Sequence, residues 1–222
     1  MFNYSPKIIT DGLVLCLDAA NTKSYPGSGT VWSDLSREGN NGTLTNGPTF
    51  NSANGGSIVF DGVNDYCDVG VNRNIPIGNQ PYTISVWFNS NSFSGNRGFV
   101  GWGGYGAQHQ VTAFRLLNNG FRHYWWSNDQ DSGNLNMIIG QWYNAVALFN
   151  GTLRQIWLNG VLLVSGNASN HNVPYSTNLT VGRTLTNEYF SGRLGPTLIY
   201  NKGLTSTEVL QNYNATKSRF GL

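Results

Sequence analysis

The stretch LRQIWLNGVLLV, residues 153–164, reads as two short apolar runs facing each other across Asn159-Gly160. Both tip residues tolerate the positive φ that a two-residue type I′ turn demands at its central positions. The pattern predicts an antiparallel hairpin. Just upstream, ALFNGTLRQIW carries a similar signal at Asn150-Gly151, so Trp142 to Val164 is expected to run as a three-stranded meander.

The same punctuation recurs along the chain. GLVLCLDA, SIVFDG, DYCDVG, YTISVWFNS, GFVGWGG, TAFRLLN, FRHYWW and WYNAVALF precede or join the meander, and NLTVGR and LGPTLIY follow it. With the meander's own strands this makes roughly twelve short strands between Gly, Asn, Ser and Pro clusters, the signature of two packed sheets. One helix is expected, in LTSTEVLQNYNA, where Thr205 and Glu208 fit a capping box and Val209, Leu210 and Tyr213 form an apolar stripe. Between Thr22 and Asn54 periodicity is weak, which reads as long surface loops.

Charged residues make up only 11% of the 222, with 28 glycines and 13% aromatics, a composition of strands and turns. This length suits a single all-β domain, residues 1–222. The net charge of +2 comes from scattered Lys and Arg, which form no stripe to follow a phosphate backbone, so nucleic acid is not an expected partner. The opening MFNYSPKIITDGLVLCLDAA lacks the regions of a secretion signal, and no apolar run is long enough to span a membrane. Cys16 and Cys67 have no neighbours at metal-ligand spacing; they are either a disulfide or two buried thiols.

Several of these segments together resemble the laminin G-like branch of the concanavalin A-like lectin and glucanase superfamily. They are GLVLCLDAANTKSYPGSGTVWSDLS, NNGTLTNGPTF, SIVFDGVNDYCDVG, YTISVWF, GQWYNAVALFNGTLRQIWLNG and YFSGRLGPTLIYNKGLTSTEVLQNYN. They occur in the family's order from about Gly12 to Asn214. The resemblance implies an all-β jelly-roll sandwich of two curved antiparallel sheets with a short C-terminal helix. The wording around LDAANTKSYPGSGTVWSDLS resembles the versions in virion proteins of tailed bacteriophages. That implies a capsid decoration or tail-attached protein at the virion surface, with the major capsid protein or a tail protein as partner and a homo-oligomeric assembly.

Fold does not fix chemistry, so the residues must be weighed. Glycan hydrolysis needs two carboxyl groups facing across the scissile bond. The three glutamates do not pair: Glu38 sits in a Gly/Asn loop, Glu188 precedes the terminal strands, and Glu208 is the helix cap. The Glu-x-Asp-x-x-Glu strand that the glucanase relatives resemble is absent. His109, His123 and His171 have no Ser or Cys placed for nucleophilic catalysis. A non-enzymatic protein is expected.

HYWWSNDQDSG, residues 123–133, holds the remaining candidates. Alternation puts His123 and Trp125 on one face and Tyr124 and Trp126 on the other. The following loop offers Asn128, Asp129, Gln130, Asp131 and Asn134 as oxygen donors, of which Asp129 and Asp131 are candidate calcium ligands; Asp/Asn/Ser/Gly is equally the composition of a turn. Trp102 and Tyr105, set among glycines in GWGGYGAQHQ, suggest rings on a loop or rim. Trp87, Trp142 and Trp157 fit the core. A glycan is therefore expected, if anywhere, at Trp102, Tyr105, Tyr124, Trp126, Asn128, Asp129 and Asp131. The readings rank as a structural virion protein first, a carbohydrate-binding adhesion module second, and a glycan hydrolase last.

Overall fold

The computed structural model describes residues 6–70 and 73–222, so residues 1–5 of the opening stretch lie outside it. Two eight-stranded antiparallel sheets stack face to face. The first contains β1 (Leu13–Leu17), β4 (Thr49–Asn51), β5 (Ser57–Asp61), β7 (Tyr82–Ser90), β12 (Trp142–Phe149), β13 (Leu153–Leu158), β14 (Val161–Asn167) and β18 (Ser191–Tyr200). The second contains β2 (Val31–Trp32), β3 (Gly42–Thr45), β6 (Tyr66–Val69), β8 (Asn96–Gly103), β9 (Val111–Leu117), β10 (Gly120–Tyr124), β11 (Gln130–Asp131) and β15 (Thr180–Val181). A separate two-stranded hairpin, β16 (Arg183–Thr184) and β17 (Glu188–Tyr189), precedes the last strand.

The expected sandwich, meander and helix are all present. β12, β13 and β14 are neighbours in order, and Asn159 and Gly160 take φ of 50° and 77° at the tip. Between Thr22 and Asn54 the expected loops carry short strands instead, β2 and β3 on the second sheet and β4 on the first. Runs of two to four residues are too short for periodicity to reveal. Both cysteines are free: Cys67 is fully buried between the sheets and Cys16 lies against the far side of the first sheet, so the disulfide alternative is excluded.

Ile84, Val86 and Phe88 of β7 meet Phe99, Val100 and Trp102 of β8 and Phe114 and Leu116 of β9 across the interior. The first sheet is also buried on its outer face, which is why all nine residues of β7 are buried. That cover is helix α1 (Ser206–Thr216) and the turn that follows it. Trp87 stacks on Phe220 with ring centroids 4.2 Å apart, and its Nε1–H donates to Thr216 Oγ1 at 2.9 Å. Trp87, Trp142 and Trp157 are therefore buried as expected, under the helical cover rather than between the sheets.

Thr205 and Glu208 form the anticipated capping box, reciprocally bonding backbone donors at the helix start. The stripe differs by one residue: Val209 and Asn212 are buried while Leu210 turns outward, 46% exposed. Asn212 earns its place by donating to Tyr200 Oη at 3.0 Å and accepting from Ile9 N–H at 2.8 Å. A polar side chain that satisfies two buried groups can displace an apolar one from the packed face.

Candidate functional site

β10 ends at Tyr124, and Trp126 and Ser127 take φ of 59° and 66° to reverse the chain toward β11. The alternation within HYWW holds. His123 and Trp125 point inward, where Trp125 Nε1–H donates to Tyr82 Oη at 2.6 Å and that hydroxyl contacts His123 Nε2 at 2.6 Å. Because an indole nitrogen only donates, Tyr82 Oη is the acceptor in the bond from Trp125.

Trp125 lies flat between two further groups: the His171 ring at 3.8 Å and the Arg154 guanidinium at 4.1 Å. Burial, helped by the Arg154 charge, holds His123 well below the usual histidine range and pushes His171 down to about 3. Both are neutral at physiological pH. This inner half of the motif is a packed polar core.

The outer half is a surface of the second sheet. Arg122 lies opposite Asp131 in register, and its Nε–H and Nη2–H donate to Asp131 Oδ1 and Oδ2 at 2.7 and 2.6 Å. Asp129 adds Oδ2 at 3.3 Å from Arg122 Nη1, while its Oδ1 accepts from Trp125 N–H. The two acids do converge, but on a guanidinium. A dication needs those same oxygens and would sit against a fixed positive charge, so the donor set does not fit calcium. Among the described residues no group of three or more His, Cys, Asp and Glu is placed to hold a metal.

Asn128 is likewise committed: its backbone carbonyl and Oδ1 accept from Arg154 at 2.7 and 3.3 Å, and its Nδ2–H donates to Ser169 O. Tyr124 is 8% exposed beneath the Arg115 guanidinium, 4.3 Å from its ring centroid. Trp102 requires the plainest correction. It is fully buried between the sheets, with its Nε1–H donating to Pro76 O at 2.8 Å.

The glycines around Trp102 mark close backbone approach, not a rim. A bulge between Gly98 and Val100 brings Gly98 and Gly101 to the same outer face of β8. A Cβ on Gly98 would lie 2.1 Å from Thr184 N, and one on Gly101 would lie 2.2 Å from Tyr105 Oη. Side-chain-free backbone thus lets the β16–β17 hairpin and the Tyr105 ring rest directly on the sheet.

The hairpin is clipped down by a buried ion pair. Arg115 Nη1 lies 2.5 Å from both Glu188 oxygens, with side chains 4% and 8% exposed, and Thr184 Oγ1–H donates to Glu188 Oε2 at 2.6 Å. Sequence reasoning missed this pair because Arg115 and Glu188 are 73 residues apart. The only local clue was Gly98 and Gly101 in the middle of a strand.

Of the expected ligand-facing residues, Trp126 and Tyr105 remain half-buried rings standing on this face, both packed against Val111, Ala113 and Tyr124. Tyr105 also lines a cavity of about 230 Å³ with Asn178, Thr180, Arg183, Leu185 and Thr186, under the edge of the hairpin. A larger cleft of about 580 Å³ lies at the entry to β1, between Asp11, Arg37 and Glu38, but no aromatic ring lines it. Half-buried rings and a cavity coincide on the outer face of the second sheet.

A family model described as Concanavalin A-like lectin/glucanases superfamily, Laminin_G_3, matches residues 61–210. The chain belongs to this superfamily. No curated protein matches it in sequence. Among solved structures the sandwich is similar to domain 4 of AbnA, an extracellular arabinanase of Geobacillus stearothermophilus solved in complex with arabinotriose. That match has a TM-score of 0.71 at 16% identity, covering 92% of this chain and 100% of that domain. It is also similar to Trypanosoma rangeli sialidase (TM-score 0.70, 18% identity, 94% of this chain and 33% of that one). The binding domain of Paraclostridial Mosquitocidal Protein 1 matches with a TM-score of 0.71 at 17% identity, over 92% of this chain and 52% of that one. The chain thus spans about a third of the sialidase and half of the mosquitocidal structure. At these identities the matches establish a lectin-like jelly roll shared by all three.

Proposed function

We propose that the chain is a non-catalytic carbohydrate-binding module whose glycan lies on the outer face of the second sheet, against Trp126 and Tyr105. The observation that carries this is the pair of half-buried rings standing on a sheet face that no helix of the described residues covers, beside the Arg122–Asp131 fork and the 230 Å³ cavity. Sugar rings offer C–H faces that stack on aromatics and hydroxyls that need fixed polar partners. The similarity to a domain solved with arabinotriose supports the same reading.

The placement of several acids supports a non-catalytic role. Glu188 is held by Arg115, Glu208 by its cap and Lys202, Glu38 by Asn74, and Asp129 and Asp131 by Arg122. Asp65, the one side-chain carboxyl among the described residues that burial raises, accepts from Asp61 N–H inside a tight turn. A hydrolase needs a free acid opposite a free base.

A glycan array probed with the protein displayed multivalently tests the reading. Binding to a defined sugar that disappears in Trp126→Ala, with the melting temperature within a degree or two, supports it; silence across the array overturns it. Chelator is expected to leave the melt unchanged, since the Arg122 cluster has no room for calcium. The narrower proposal, that many copies act together at a bacteriophage surface with a capsid or tail protein beneath them, rests on the LDAANTKSYPGSGTVWSDLS resemblance. Avidity from a homo-oligomeric array compensates for a shallow site. Stoichiometric copies on a purified particle, counted by mass spectrometry, are its expected outcome.

A further inference from the structure

The cavity of about 230 Å³ has one charged group in its lining, Arg183, and no carboxylate; Tyr105, Asn178, Thr180, Leu185 and Thr186 complete it. Arg183 sits over the Tyr66 ring, 3.6 Å from its centroid, with Tyr189 at 6.0 Å on the same hairpin. Its Nε is buried and has no hydrogen-bond partner. Among the described residues its side chain forms no ion pair, although Asp68 stands exposed on the same sheet face, opposite Thr180.

Four other arginines have acceptors for their guanidinium groups. Arg115 holds Glu188, Arg122 holds Asp129 and Asp131, Arg219 holds Asp18, and Arg154 bonds the carbonyls of His123 and Asn128. A half-buried guanidinium without an acceptor is costly, and ring stacking offsets only part of that cost. The stack binds the guanidinium through its flat side, which leaves the in-plane N–H fork directed elsewhere. Thr180 Oγ1–H donates to Arg183 O at 2.8 Å and fixes the backbone that carries it.

We propose that this cavity is a subsite for an acidic sugar unit, whose oxyanion is held by the Arg183 fork while its ring lies against Tyr105 and its hydroxyls reach Thr186. The volume is below the roughly 300–1,000 Å³ of a pocket for a drug-sized ligand, which suits one sugar ring rather than a chain. The subsite rests on the glycan-binding reading of the same face and specifies the charge of what it binds.

The test is calorimetric titration of the full chain with tetragalacturonate, a sulfated dextran oligosaccharide, neutral dextran and arabinotriose. The acidic probes are expected to bind more tightly than the neutral ones and to weaken as salt rises. Their relative strength tells carboxylate from sulfate. Arg183→Gln should weaken acidic binding about tenfold or more, the worth of a charge-assisted pair, and leave neutral binding unchanged. Thr186→Glu, at an exposed position, should weaken acidic binding by like-charge repulsion without disturbing the Tyr66 stack. Equal acidic binding by wild type and both variants overturns the subsite, as does neutral binding with no preference for acid. Silence toward every probe and across the array removes the glycan reading itself.

Discussion

The two sheets of this sandwich treat their outer faces in opposite ways. The first is sealed by apolar contact: Trp87, Trp142, Phe220 and Tyr213 stack under the C-terminal helix, and Val146, Leu148, Trp157 and Val209 pack beside them. The second is covered over part of its area by a two-stranded hairpin that rests on bare glycine backbone and is fastened by a single buried ion pair. Apolar burial is non-directional and adds up with area; an ion pair is directional and must be complete to help at all. The first arrangement serves stability, and the second leaves shaped polar space beside half-buried rings.

The largest expected effect is therefore on the sealed face. Trp87→Ala removes a ring that is 2% exposed, leaves a cavity under Phe220 and takes one donor from Thr216 Oγ1, and should cost about 3–5 kcal/mol. Urea unfolding measures it. Hydrogen exchange should speed up through the whole sandwich, because the sealed face belongs to the global unit. A loss confined to the helix would break the contrast by making the cover as local as the hairpin.

Glu188→Gln on the open face should cost less, about 3 kcal/mol, by leaving the buried Arg115 charge without a counter-charge. Here faster exchange is expected in residues 183–189 while the helix stays protected. Arg115→Met combined with Glu188→Leu should recover most of the loss, since removing both charges removes the desolvation penalty. If the double variant stays as unstable as the single, the pair does more than hold the hairpin down.

These two faces were not equally legible in the sequence. Strand–turn alternation exposed the sandwich, the Asn159-Gly160 hairpin and the Thr205–Glu208 cap, because each is a local rule acting over a few residues. It also placed His123 and Trp125 opposite Tyr124. Trp102 went to the wrong side because glycine signals both loop and close approach, and only the hairpin, some eighty residues later, decides between them. Asp129 and Asp131 looked like free oxygen donors because the sequence does not reveal that Arg122 lies across the strand turn. Arg183 carried no signal at all: what distinguishes it is that it lines a cavity without an ion pair, which only the packed face reveals.

Acid should test the seam between the faces. His123 and His171 have folded pKa values below the unfolded value of about 6.5, so the unfolded chain binds protons first as pH falls. Their contribution is complete above about pH 6.5 and is lost progressively toward pH 3, at up to about 1.4 kcal/mol per pH unit for each histidine. His171→Gln should roughly halve that slope in urea midpoints measured from pH 7 to pH 4. An unchanged slope would assign the acid sensitivity to carboxylates instead.

The smallest expected effect separates the two arginines of the open face. Arg122 is 26% exposed and paired with an Asp131 that is 41% exposed, so Asp131→Asn should change stability by no more than about 1 kcal/mol, and less as salt rises. Its interest lies in binding. With half of its carboxylate clamp neutralised, Arg122 comes to resemble Arg183, a guanidinium on the sheet face with spare donors. Titration with tetragalacturonate should then detect a second, weaker and salt-sensitive site that survives Arg183→Gln. If Asp131→Asn gains no such site, an unpaired arginine on this face is insufficient, and the cavity walls around Tyr105 and Thr186 supply the selectivity as much as the charge does.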